Sequence, residues 1–413
     1  MLPILLIFAL LLLAPIAALA DERPELELHH ALERALAHNK ELAAFEHRLT
    51  EQAGRVEQAG LLPNPELSLE VEEFAGEDTF GGFHRAQTTL SLAWVLERGI
   101  RRKRVAAAEA RSSLLISEAE ILRLEVAGET AERFITSIEE QEHLAKATEA
   151  VSHAEAAVAA VYRRVQAGKT ATAELARAEA ELAQTRLARD DVTHELAIAR
   201  HRLAAQWGAV TPAFERVRGD LGRIPLPQPF EVFEARVEQS PRVARLLSEE
   251  RVAEANLRLS EARRWPNLRP RLGVRRIEAT DDIALVAEVN VPLPVFNRNQ
   301  GDIAASRSAR ARTRAEAEAA RVRVSAMLFR AYEELEHHVH RAETLKEEVI
   351  PRLARALDET RRGYEKGRYN YFEWRSVQVD LLEAETELIK ASAAAHRLVV
   401  GLERLTGQQV AAS

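Results

Sequence analysis

The spacing of apolar residues along this chain switches between a helical period and a strand period, and each switch marks an element. From Ala31 to about Gly60 the spacing is helical, with an interruption near Asn39, and Pro63 and Pro65 end the run. Leu67, Leu69 and Val71 then alternate with Ser68, Glu70 and Glu72. After a loop holding Gly76, Gly81 and Gly82, alternation resumes from Thr88 to Trp94. Two period-two runs around a polar, glycine-containing loop predict a β-hairpin with strands at about 66–73 and 87–95. From Arg104 to Gln166 there is no proline and Gly128 is the only glycine. Apolar positions there follow three/four spacing (Leu115, Ala119, Leu122 and Val126, later Val151, Ala154, Val158, Val161 and Val165). That predicts a helix of roughly 60 residues, about 90 Å long. The chain turns at Ala167-Gly168-Lys169-Thr170 and returns through Leu175, Ala178, Leu182, Val192, Leu196, Ala199 and Leu203. Such a narrow, alanine-rich stripe suits close helix–helix packing in a coiled-coil-like layer and cannot cover a thick globular core.

The same order of patterns then recurs. Gly168 and Gly367 are 367 − 168 = 199 positions apart, and the same offset carries Gly208 onto Gly407, Glu174 onto Glu373 and Leu90 onto Val289. Leu62-Pro63-Asn64-Pro65 answers Trp265-Pro266-Asn267-Leu268 at an offset of 203, so one loop of the first copy is four residues longer. The second hairpin is expected at about 268–276 and 284–293, with Leu285, Val289 and Leu293 on one face and Glu288 and Asn290 on the other. So long a period means duplication of a whole supersecondary unit. The expected organisation is a first unit at 21–211, a Pro-rich connector at 212–229 read as an irregular strap, and a second unit at 230–413. The fold class is mainly α with a small β part, built twice as helix, hairpin, long helix, turn and helix.

Composition narrows the reading further. Ala, Glu, Arg and Leu dominate and aromatics make up 5%, as in chains of long helices. The net charge of −7 is spread in both signs along the helical stretches, which reads as solvated faces without a basic stripe for nucleic acid. There is no cysteine, which excludes disulfides, thiolate metal sites, a Cys nucleophile and a lipid-carrying N-terminal cysteine. Met1 to Ala20 is apolar and ends Ala18-Leu19-Ala20, the form of a signal peptide maturing at Asp21. Its start carries no Lys or Arg, and an uncleaved anchor is the alternative. No later stretch is as long and uncharged, so entry into a membrane requires a barrel. Four strands cannot close a conducting barrel, so the chain must oligomerise or stay out of the bilayer. Trp94 and Phe296, near strand ends, suit an interfacial belt.

Candidate chemistry is sparse. The thirteen histidines include His337-His338 with His340, and His29-His30. Neighbours on a helix point about 100° apart, so neither group is expected to converge on one ion. Met327 is the only methionine after the leader, which excludes a methionine relay for Cu(I). Phosphate loops, a Gly-x-Ser-x-Gly elbow and a His-Glu-x-x-His pairing are absent, so no cofactor, stored metal or enzyme activity is expected. Basic residues gather at the two turns: Arg163, Arg164 and Lys169, then Arg361, Arg362, Lys366 and Arg368. At a helix C-terminus the dipole alone favours them.

Three local strings carry a resemblance. They are Leu61-Leu62-Pro63-Asn64-Pro65-Glu66-Leu67, the long Val291-Pro292-Leu293-Pro294-Val295-Phe296-Asn297-Arg298-Asn299-Gln300-Gly301, and Tyr364-Glu365-Lys366-Gly367 followed by Val377-Gln378-Val379-Asp380-Leu381-Leu382. With the duplicated unit, they make the chain resemble the TolC-like outer-membrane efflux proteins over essentially its whole mature length. The strings are similar to the cobalt–zinc–cadmium (CzcC-like) heavy-metal branch. The resemblance implies a homotrimer, each chain giving four strands to one β-barrel in outer-membrane lipid, continued by a periplasmic α-helical barrel. It implies a passive conduit for heavy-metal cations, with energy from an inner-membrane pump through a periplasmic adaptor protein. The adaptor would meet the turns, at Gly168, Lys169, Gly367 and Arg368. In the family an acidic pair one helical turn apart narrows the periplasmic entrance. Glu373 matches its first member, Ser376 stands at the second, and Glu174 is the equivalent residue of the first copy. A threefold axis would make a ring of carboxylates that favours cations. The alternatives are a channel for drugs or secreted proteins, or a periplasmic coiled-coil adaptor or structural protein.

Overall fold

The computed structural model describes residues 25–226 and 228–408, so the expected leader and Pro227 of the connector lie outside the described residues. The chain begins with a short strand β1 (Leu26–Glu27), followed by α1 (Leu28–His38) and α2 (Lys40–Gly60). Asn39 makes the break between the two helices. Its backbone is extended, and its side chain accepts hydrogen bonds from the N–H groups of Glu41 and Leu42, capping α2. Strands β2 (Glu66–Glu72) and β3 (Gln87–Ala93) form the first hairpin. Helix α3 (Ile100–Gln166) then runs for 67 residues, roughly 100 Å, and α4 (Thr172–Ala204) returns along it.

The connector is more ordered than the irregular strap expected. Its β4 (Val217–Arg218) pairs in parallel with β1, and α5 (Phe230–Glu234) follows. Phe214, Val217 and Leu221 are buried against Ala131, Phe134, Ile135 and Ile138 of α3. These apolar residues lack a period because the connector is held by side-chain burial and one short pairing, not by a helix or a long strand.

The second unit repeats the first with α6 (Pro241–Ala262), β5 (Arg269–Ile277), β6 (Asp282–Asn290) and α7 (Gln300–Thr344). Its long helix is interrupted: residues 345–349 form a π-turn, in which the Ile350 N–H bonds to the Leu345 carbonyl, before α8 (Ile350–Glu365) continues. Pro351, which has no N–H to give, lies just beyond, so the irregular turn absorbs a bond that a regular helix would lose there. α9 (Tyr371–Thr406) returns to the C-terminal end.

The duplicated glycines do equivalent work. Gly168, Gly208, Gly367 and Gly407 all have positive φ, between 68° and 76°, at the ends of helices. At the two turns the bonds match: Gly168 N–H to Val165 and Lys169 N–H to Arg164, Gly367 N–H to Tyr364 and Arg368 N–H to Gly363. Both satisfy the last carbonyls of a helix in the same six-residue loop. Buried Leu196 and Leu203 of α4 likewise recur as Ala395 and Leu402 of α9, each 199 positions on. One apolar cluster, around Phe134, Leu203 and Phe214, also takes in Ile389, Ala393 and Val400 of α9 and so joins the two units; another, around Val324, Leu328, Leu335 and Leu402, lies within the second.

The two hairpins join into one antiparallel sheet, in the order β2-β3-β5-β6. Its strands are close to those expected, with two differences. β3 stops at Ala93, and β6 spans Asp282–Asn290 instead of 284–293, so Leu293 falls in the segment after the strand. Pro292 and Pro294 explain the early stop, since neither can donate to a ladder.

Candidate channel wall and helical tips

The sheet has two chemically different faces. In register across it lie Leu69, Leu90, Val274 and Leu285, and in the next row Leu67, Leu92, Leu272 and Ala287. The leucines and valines of this face point away from the rest of the chain: Leu285 is 88% exposed and Val289, on the same face of β6, 66%. The other face is polar. Arg275 donates to Gln87 Oε1 (2.9 Å) and Thr89 Oγ1 (3.0 Å) and pairs with Glu72 (3.2 Å). Arg271 lies 3.5 Å from Glu288 and 3.9 Å from Glu70. The expected facing of Leu285 and Val289 opposite Glu288 and Asn290 holds. The arginines were missed, although Arg269, Arg271 and Arg275 share the odd-numbered face opposite Leu272 and Val274.

At the far end of the long helices the two turns lie side by side. Arg164 of the first tip donates to the Tyr364 carbonyl of the second, and its guanidinium sits 4.7 Å over the Tyr364 ring. Tyr364, Tyr371 and Trp374 are buried with Val161 and Ala178. Gly363 is needed here: a Cβ would come within 2.1 Å of the Tyr369 ring. Burial pushes the Tyr364 and Tyr371 hydroxyls above their ordinary range. Of the seven basic residues at the tips, Arg361 and Arg362 pair with Asp358 and Arg164 is used internally. Among the described residues, Arg163, Lys169, Lys366 and Arg368 have no carboxylate partner. Gly168, Lys169, Gly367 and Arg368 are all exposed.

Below the tips, charged contacts stitch the two hairpins together. Glu181 pairs with Arg375 and accepts from the Tyr371 hydroxyl (3.1 Å), and Lys146 bridges Glu149 (3.1 Å) and Glu385 (3.0 Å). They line a small cavity of about 70 Å³. Burial alone would lower the Lys146 pKa, but its bonds to Glu385 and Glu149 win and raise it. Burial pulls Arg375 below its usual value; an arginine stays charged nonetheless.

Glu373 is exposed, in the first turn of α9, and part of its charge has a local use. Asn370 Oδ1 accepts from the Glu373 N–H (2.9 Å) while the Glu373 carboxylate accepts from the Asn370 N–H (2.8 Å), a complete capping box. Glu174, in the first turn of α4, has no such box, because Ala171 stands where Asn370 does. The expected divergence of neighbouring histidines fails in one place. The rings of His29 and His30 are 3.8 Å apart, and one ligand atom each of Glu27, His29 and His30 lies within 4.8 Å of the others. The His337 and His338 rings are 5.5 Å apart.

Among the described residues no helix is long and apolar enough to cross a membrane. The sequence profile of the outer membrane efflux protein family matches residues 31–209 and again residues 234–408, once for each copy of the unit. The chain belongs to the outer membrane efflux protein family. It is 29% identical over 384 residues to the cobalt-zinc-cadmium resistance protein CzcC of Cupriavidus metallidurans, covering 93% of this chain and 90% of that one. The fold is shared with a crystal structure of CusC (TM-score 0.73, 15% identity, 92% of each chain). It is shared too with the outer membrane protein VceC of Vibrio cholerae (TM-score 0.70, 18% identity, 93% of this chain and 97% of that one). For an outer membrane efflux protein, the two-faced sheet and the paired helical hairpins are the parts that need a functional account.

Proposed function

We propose that three copies of this chain close into an outer-membrane channel that exports heavy-metal cations as a passive conduit. The observation that carries the reading is the sheet itself. Among the described residues its edge strands β2 and β6 have no partner on their outer sides, and its exposed large apolar side chains lie on one face only. Open edges in lipid would leave backbone groups unsatisfied. Because β2 and β6 run antiparallel to each other, β6 of one copy can pair with β2 of the next in the same antiparallel sense. Three sheets then give twelve strands, with leucines and valines toward lipid and the Arg271/Arg275 network toward water.

The metal assignment rests on the relation to the cobalt-zinc-cadmium resistance protein. The unit boundaries are read as a leader at 1–20, units at 21–211 and 230–413, and the connector between them. The exposed tips, with Gly168, Lys169, Gly367 and Arg368, meet a periplasmic adaptor that couples the channel to an inner-membrane pump. Glu373, and Glu174 at the equivalent position of the first copy, line the periplasmic entrance and favour cations.

Closure is tested by cross-linking, on a background free of native cysteine. Ser68→Cys on β2 and Val286→Cys on β6 sit on the same face but at opposite edges, about 14 Å apart across three inter-strand gaps. A linker shorter than that span, applied to outer membranes, should give a gel ladder that ends at the trimer. A product restricted to dimers, or a ladder running beyond three chains, overturns the closed trimer.

A further inference from the structure

We propose that Glu27, His29 and His30, where β1 runs into α1, form a binding site for a divalent transition cation of the Zn²⁺ or Co²⁺ type. The inference stands on geometry and donor chemistry and needs neither the trimer nor the cargo reading. Among the described residues this is the only set of three His, Asp or Glu side chains that offers one ligand atom each within 4.8 Å of one another.

The backbone explains why adjacent residues converge. Glu27 is the N-cap of α1, with extended backbone angles (φ −94°, ψ 156°), so its side chain does not follow the helical rotation of about 100° per residue. Its Oε2 comes to 3.4 Å from His29 Nδ1. His30, one residue on, stacks its ring against His29 with a tilt of 40°. Being in the first turn of α1, neither histidine has a preceding helical turn beneath it.

Two imidazoles and a carboxylate suit borderline ions, whereas Mg²⁺ and Ca²⁺ prefer oxygen alone. Three protein ligands leave a coordination position for water, and both histidines are exposed, so the ion would exchange with solution. Two influences oppose binding. The N-terminal end of a helix disfavours a cation, and Arg218 Nη1 lies 3.4 Å from Glu27 Oε1. Glu27 and Arg218 are also register partners of the β1–β4 pairing. A bound ion would therefore compete with Arg218 for one carboxylate, exchanging a surface ion pair of small worth for ligation. Occupancy would tie the start of α1 to β1.

The test uses full-length protein prepared without a histidine tag, stripped of metal and titrated with Co²⁺, whose visible absorption reports its coordination. The expected result is one Co²⁺ per chain, displaced by Zn²⁺ and not by excess Mg²⁺. His29→Ala and His30→Ala should each weaken binding by at least the roughly tenfold that loss of even an outer-shell partner costs. Arg218→Ala should strengthen it, and His337→Ala should leave it unchanged. Because the ligands are surface residues, these variants should keep the wild-type circular dichroism, which separates loss of the site from loss of the fold. Stoichiometric Co²⁺ binding that survives in the His29→Ala/His30→Ala double variant, or no stoichiometric binding in the wild type, overturns the proposal.

Discussion

Single residues in this chain carry costs that only their neighbours reveal. Glu142 on α3 is one case. Burial raises the pKa of its carboxyl above the ordinary 4.5, and the charges of Asp220 and Glu139 add to the shift against the opposing pull of His143 and Lys146. A folded-state pKa above the unfolded value contributes stability that is complete below the unfolded pKa and is lost as pH rises through the folded one. Glu142→Gln should therefore raise the thermal midpoint at pH 8 and change it little at pH 4, as read by circular dichroism in detergent. Gly367 is a second case. Its φ of 75° is in the left-handed region, so Gly367→Val should cost about 1–2 kcal/mol at the tip. The tip lies a full helix length from the sheet, so the proposed trimer should still be recovered on unheated gels. Metal resistance and adaptor cross-linking should fall. Unchanged resistance with unchanged cross-linking would remove the tip from the export pathway.

At the scale of elements, the sheet divides its work by face. Val289 and Asn290 are adjacent in β6 and point to opposite sides. Val289→Arg puts a charge on the lipid side and should cost roughly 2–4 kcal/mol near the bilayer midplane, reducing trimer recovered from outer membranes. Asn290→Arg faces the aqueous side and should assemble normally. The opposite result would reverse the facing of every strand, because side chains alternate with a period of two. Among helices, the second long one is relieved at residues 345–349, next to Pro351, whereas α3 runs unbroken. Lys346 in that turn also reaches the Gly222 carbonyl of the connector (3.4 Å), so the irregularity sits where the helix meets the strap between the units.

The whole molecule turns Glu373 from a helix cap into a candidate filter. One carboxylate on a surface favours cations weakly; three around an axis act together. Gln also completes a capping box, so Glu373→Gln should keep the α9 cap and remove only the charge. Single-channel recordings in planar bilayers at low salt should then show lower cation preference, with thermal stability close to wild type. High salt would screen the difference. Unchanged selectivity at low salt would confine Glu373 to capping. Glu174→Gln, at the position 199 residues earlier, should have a smaller effect, since it is half-buried where Glu373 is exposed.

Periodicity by itself determined the elements of this protein: the duplication, the four strands, the two-faced hairpins and the glycine turns. The duplication follows from comparing the chain with itself at an offset of 199, and the rest from spacing within one segment, where the angle between successive side chains is set by the backbone. Leu285 and Glu288 could be placed on opposite faces because a strand alternates whatever it packs against. Tertiary structure decided what spacing leaves free. The pairing of β3 with β5 brought Arg275 to Gln87 and Thr89, 188 and 186 residues away in sequence. The packing of the two tips placed Arg164 on Tyr364, 200 residues on, so one of the basic residues gathered at the turns is a clasp between hairpins. The burial of Phe214, Val217 and Leu221 ordered a connector that shows no period. The Glu27 backbone departs from the helix just before His29 and His30, and so the cluster forms. In each case the deciding contact joins segments whose relative position no local period encodes, or depends on where a helix begins.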